Sequence, residues 1–158
     1  MIFVDTNYFL RFLIDDDPQQ AEEAKKLFLE AARGNLELAT STIVVFEIYW
    51  VFKSYYQKTK DEIIKILQKV LTMNFVRIDE RDLLQSALNL YKVENLSLED
   101  CYNLIYAKDN KAVSFKTFDA KLAKVFSSEQ ETQWEEFEMS RSKKKTKKEK
   151  TNKLEDVN

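Results

Sequence analysis

Apolar positions along the chain switch repeatedly between short unbroken runs and stretches spaced three and four apart. Ile2, Phe3 and Val4 form the first run, which stops at Asp5. Strand-forming residues in an unbroken row predict a central strand buried on both faces. Tyr8 to Ile14 then carries the spacing of a helix. Gln19 to Arg33 repeats that spacing through Ala21, Ala24, Leu27, Phe28 and Ala31, with Pro18 placed to open it and Gly34 to end it. The acids Asp15, Asp16 and Asp17 before the proline read as a solvated turn feeding a helix N-terminus. Further strands are predicted at Leu36 to Ala39, Phe75 to Ile78 and Val113 to Phe115. The helices between and after them span Thr42 to Tyr56, Asp61 to Leu71, Glu80 to Val93, the stretch from Asp100 through Ala107, and Ala120 to Phe126. Strands alternating with helices imply an α/β domain with a short parallel sheet of about four strands and right-handed crossovers.

This topology gives meaning to four acids. Asp5 and Asp119 each follow a predicted strand, so both fall on the carboxyl edge, where open parallel sheets hold their ligands. Asp100 begins the helix that feeds the fourth strand. Glu47 lies inside Thr42 to Tyr56, which is apolar almost all round and therefore predicted to be largely buried. A buried carboxylate costs several kcal/mol unless a cation or strong donors meet it. Asp5, Asp100 and Asp119 also have a plain reading as helix caps, and Ser97 with Asp100 resembles a capping box. An ion pair with a lysine or arginine is the plain reading of Glu47. Four acids converging on one edge would repel one another without a cation, so a metal explains the set better than coincidental caps.

Composition narrows the chemistry. The chain of 158 residues has no histidine and one cysteine, Cys101. A histidine base, a catalytic triad, a histidine-ligated zinc, a thiolate cage and a disulfide framework are thereby excluded. Any metal must be held by oxygen, which points to Mg²⁺ or Mn²⁺. The single cysteine fits a reducing cytoplasm. No apolar run approaches the ~18 residues that would cross a membrane, and the start does not resemble a signal peptide.

Four stretches in this order resemble a known family: MIFVDTN with LRFLIDDDP, STIVVFEIYWVF around Glu47, LSLEDCYNLIYA around Asp100, and SFKTFDAKL around Asp119. Together they are similar to the PIN-domain ribonucleases, and within them to the VapC-type toxins of toxin–antitoxin systems. The resemblance covers residues 1–126. It implies a three-layer α/β/α fold and a divalent-metal-dependent endoribonuclease acting in the cytoplasm, held in check by an antitoxin. The acidic quartet carries over as Asp5, Glu47, Asp100 and Asp119, with Asp5, Asp100 and Asp119 as metal ligands and Glu47 holding water or completing the set. Thr6, Asn7, Ser41 and Thr117 match supporting polar positions. The chain departs from the family in lacking a convincing further strand after the last helix and a glycine between Ala107 and Ala112. A PIN-like binding scaffold without cleavage and a housekeeping RNA-processing nuclease are the alternatives. The aromatic helices Thr42 to Tyr56 and Asp61 to Leu71 could supply a homodimer interface.

Beyond the domain, residues 127–139 read as an acidic extension and residues 140–158 as a disordered lysine-rich tail. The tail has eight basic and three acidic residues in a chain whose net charge is −2. Such a tail touches nucleic acid or serves as a solubiliser. Arg11, Lys116, Lys121 and the tail are the candidate contacts to RNA phosphates.

Overall fold

A computed structural model describes residues 1–14 and 16–128. They fall into two units, Met1–Lys111 and the chain from Ala112 onward. The first runs β1 (Ile2–Phe3), α1 (Thr6–Ile14), α2 (Pro18–Ala32), β2 (Leu38–Thr40), α3 (Thr42–Trp50), a π-helical turn (Val51–Tyr55), α4 (Lys60–Leu71), β3 (Val76–Ile78), α5 (Arg81–Val93) and α6 (Leu98–Asp109). The three strands form a parallel sheet in the order β1-β2-β3, with Ile2 opposite Leu38 and Leu38 opposite Val76. β2 is therefore the central strand, and all three of its residues are buried.

β1 corrects the sequence expectation of a strand buried on both faces. It lies at an edge of the described sheet, with Ile2 41% and Phe3 59% exposed, and only the following Val4 is buried. An apolar run shows that a strand can be buried; which strand lies in the middle depends on its pairing partners. Val113 to Phe115 is not a strand either, so the described sheet has three strands rather than four.

Local chemistry accounts for most element ends. Asp17 caps α2 by accepting from the Gln19 and Gln20 amides, both at 3.1 Å, with Pro18 in the first turn. Gly34 follows α2 with φ +81°, a conformation that costs glycine little and other residues more. Phe28 on α2 meets Phe9 and Phe12 of α1 at ring-centroid distances of 5.2 and 4.9 Å, which joins the two helices. α3 packs against α1, α4 and α6, and α5 packs against α4 and α6. The core of this unit thus gathers around α3, through Val45, Ile48 and Tyr49.

α4 opens with a capping box that yields a pH-dependence. The Glu62 carboxylate accepts from the Thr59 amide at 2.9 Å, the Thr59 hydroxyl at 3.0 Å and Lys58 Nζ at 3.0 Å. These bonds, the Thr59 amide first, lower its pKa from 4.5 to about 2. A depressed acid stabilises the folded state above its ordinary pKa and loses that effect as pH falls through the folded value. Thermal melts of wild type and Glu62→Gln should therefore differ at neutral pH and converge between pH 4.5 and about 2. A difference that persists undiminished at pH 2 would assign the effect to something other than this charge.

In the second unit, residues 120–128 are helical, and Phe115 meets Phe126 with ring centroids 5.3 Å apart. The lysine-rich tail and nearly all of the acidic extension lie outside the described residues.

Candidate active site

The carboxyl end of β1 is tied to its neighbour before the first candidate acid appears. Thr40 at the end of β2 donates its hydroxyl to the Val4 carbonyl at 2.8 Å in a buried bond. Asp5 follows immediately and is exposed. Asn7 Nδ2 donates to Asp5 Oδ2 at 3.4 Å, a long bond that leaves the carboxylate close to fully available. Between them, Thr6 is buried and donates its hydroxyl to Glu47 Oε2. Thr6 and Asn7 therefore each orient one acid, and the β1–α1 junction reaches across to α3.

Glu47 is not buried. Ile43, Glu47 and Trp50 form one exposed stripe of α3, while Val44, Val45, Ile48 and Tyr49 face the core. A helix apolar on all sides gives no clue to its buried face, and here neighbours cover only part of it. The desolvation argument for Glu47 therefore falls. The ion-pair reading falls too, because among the described residues no lysine or arginine pairs with Asp5, Glu47, Asp100 or Asp119.

Asp100 is held by the capping box of α6. Its Oδ2 accepts from the Ser97 hydroxyl at 2.7 Å and the Ser97 amide at 3.3 Å, and the Asp100 amide donates to Ser97 Oγ at 3.1 Å. The cap uses one carboxylate oxygen and leaves Oδ1 without a partner among the described residues. Asp119 belongs to the second unit, and no strand precedes it, contrary to the sequence expectation. Its Oδ1 accepts from the Lys121 and Leu122 amides at 2.8 and 3.1 Å, and its own amide donates to Thr117 Oγ1 at 3.0 Å. Ser41 precedes α3 without a side-chain cap bond. Arg11 is engaged by Asp16 at 2.6 Å and by Gln20 at 2.7 Å, and the Asp16 bond raises its pKa. Lys116 is exposed.

Within the first unit, the structure thus brings Thr6 to Glu47 and Asn7 to Asp5. Among the described residues no group of three or more acidic or thiol side chains is close enough to hold one metal ion. By donor type the set fits a hard divalent cation: Asp5, Glu47 and Asp100 supply only oxygen, and each keeps one oxygen uncommitted. Burial, with the adjacent Asp100 charge, pushes the Cys101 thiol up to about 12, so it offers no thiolate nucleophile near neutral pH. Tyr102 is likewise pushed up to about 12, by burial first and then by its bond to Glu80, so it stays protonated near neutral pH.

Sequence reasoning passed over Glu99. Both its carboxylate oxygens are buried and take no hydrogen bond among the described residues, and its charge raises the pKa of Tyr49 after burial has done so. An acid beside Asp100 in the first turn of α6 was the available signal, but it also reads as a dipole-offsetting residue.

A short parallel sheet, helices around it and an exposed acid at a strand's carboxyl end define an α/β domain. The PIN domain family model matches residues 2–126, and the chain belongs to that family. PIN domains are in general nucleases and in general use divalent metals; their three-layer α/β/α fold agrees with the short parallel sheet. No curated protein matches the chain. No helix among the described residues is long and apolar enough to cross a membrane.

Proposed function

We propose that this protein is a divalent-metal-dependent endoribonuclease serving as the toxin of a toxin–antitoxin pair. One observation supports the nuclease reading above the rest: Asp5, Glu47 and Asp100 each keep a carboxylate oxygen free of any cation or donor among the described residues. An oxygen left uncommitted in this way is what a hard divalent cation requires of a carboxylate ligand. Asp5, Asp100 and Asp119 would hold Mg²⁺ or Mn²⁺. The ion supplies charge compensation at the scissile phosphate and acidifies water.

The chain's own groups do the positioning. Thr6 donates to one oxygen of Glu47, fixing its rotamer and leaving the other to accept from water. Ser97 holds Asp100 through one oxygen so that the other points to a constant place. Asn7 steadies Asp5 without neutralising it. Without histidine, proton transfer falls to these carboxylates and water. The toxin role rests on the likeness of the four acid-bearing stretches to VapC-type proteins, and it implies a cognate antitoxin and a cytoplasmic RNA target.

Purified protein should cleave structured RNA with Mg²⁺ or Mn²⁺ and stop in EDTA; undiminished cleavage in EDTA would end this mechanism. Expression in a bacterial host should arrest growth, relieved by a small co-expressed partner protein. A second reading, a binding scaffold without cleavage, is favoured by the lack of a ready-made group of three acids among the described residues. It predicts RNA binding that persists with Mg²⁺ and yields no products.

A further inference from the structure

The exposed stripe of α3 continues past Glu47 into a surface of different character. From Ile48 to Lys60 the chain has three lysines and no acid, although its net charge is −2. Trp50 is 49% exposed and Tyr55 78% exposed. The π-helical turn between them is closed by the Tyr56 amide donating to the Val51 carbonyl at 3.1 Å. A turn closed five residues apart, rather than four, brings residues five apart towards the same side, which is the spacing of Trp50 and Tyr55. Such turns recur at functional sites.

Lys53 is held against the rings of Tyr49 and Trp50. Its Nζ donates to the Tyr49 hydroxyl at 2.9 Å and lies 5.1 Å from the Tyr49 centroid and 5.4 Å from that of Trp50. Among the described residues no carboxylate bonds it, and none there neutralises its charge. Lys58 shares its charge with Glu62, and Lys60 donates to the Glu94 carbonyl. The surface therefore offers two exposed aromatic rings and one preorganised, unneutralised cation.

Resting on the ribonuclease reading above, we infer that Trp50, Lys53 and Tyr55 form a stacking platform for single-stranded RNA leading to Glu47. Exposed aromatics accept bases of any sequence on their faces, and a cation beside them meets the adjoining phosphate. Trp50 lies three residues beyond Glu47 on the same stripe, about 5 Å along the helix axis. A strand stacked there runs towards the acids. A second copy of the chain is the less suitable occupant: a two-fold contact about this surface sets Lys53 near its own copy.

The test uses the full chain in EDTA, so that binding is read without cleavage. A fluorescent single-stranded oligouridylate is titrated at several salt concentrations, and a blunt RNA duplex of equal length serves as comparison. Trp50→Ala and Tyr55→Ala should each weaken single-strand binding about 5- to 100-fold and leave the salt dependence nearly unchanged. Lys53→Gln should reduce the slope of log affinity against log salt by about 0.7. Equal weakening on the duplex would overturn the stacking platform. Wild-type affinity and slope in all three variants, with cleavage in Mg²⁺ intact, would overturn the platform and leave the nuclease standing. A change from dimer to monomer with RNA affinity unaltered would overturn it in favour of a protein interface. Wild type that neither binds nor cuts RNA would remove both readings.

Discussion

Asp5→Asn is expected to lower RNA cleavage by on the order of 10²–10⁴-fold while leaving the fold intact. A metal ligand's share of transition-state charge stabilisation is several kcal/mol, and each ~1.4 kcal/mol is a tenfold change in rate. Asparagine keeps the shape and the neighbour Asn7 but removes the charge that would bind a cation. Asp5 is exposed and its only side-chain bond among the described residues is long, so stability should change by less than about 0.5 kcal/mol. Cleavage rates in Mg²⁺, read beside thermal melts in EDTA, test both halves. In wild type, Mg²⁺ should raise the melting temperature, and in the variant it should raise it less. Full activity with unaltered Mg²⁺ stabilisation would remove Asp5 from the site.

The largest effect on stability is expected at Arg81, which has no part in the chemistry. Its guanidinium donates through Nη1 to the Leu71 carbonyl, and through Nη2 to the Met73 carbonyl at 3.0 Å and the Val76 carbonyl. One side chain thus serves the end of α4, the following turn and the start of β3. Burial lowers its pKa from the ordinary value, which reflects the cost of placing the charge there. Arg81→Met keeps the apolar stem and removes every donor. The Leu71 and Val76 carbonyls would then lose this donor, while the Met73 carbonyl keeps its bond from the Val76 amide at 3.1 Å; charge-assisted bonds contribute about 1.5–3 kcal/mol each. A loss of about 3 kcal/mol follows, near 10 °C in melting temperature for a chain of this size. Urea denaturation is the direct measurement; a loss below about 0.5 kcal/mol would mean that water replaces the guanidinium without penalty.

The two residues differ in how they announce themselves. Asp5 is visible in the chain because an apolar run ends on it and a helix begins just after. Arg81 stands at the start of a helical pattern and looks like any surface arginine. Its three acceptors lie between five and ten residues away along the chain, on elements whose relative placement the local pattern does not contain.

Short-range chemistry determined much of this protein from sequence alone. The Pro18 start, the Gly34 stop and the Ser97–Asp100 box each need only a few neighbouring residues, and each stands where the pattern put it. The alternation of strands and helices and the PIN resemblance were legible in the chain as well. Tertiary structure decided the rest. It placed β1 at an edge of the described sheet and left Val113 to Phe115 outside it, because pairing order is a relation between distant segments. It exposed Glu47 by turning the other side of α3 to the core, a choice that a helix apolar all round cannot specify by itself. It also set the Thr6 hydroxyl of α1 against Glu47 of α3. That contact depends on where whole elements come to rest, and burial, not local propensity, decides that.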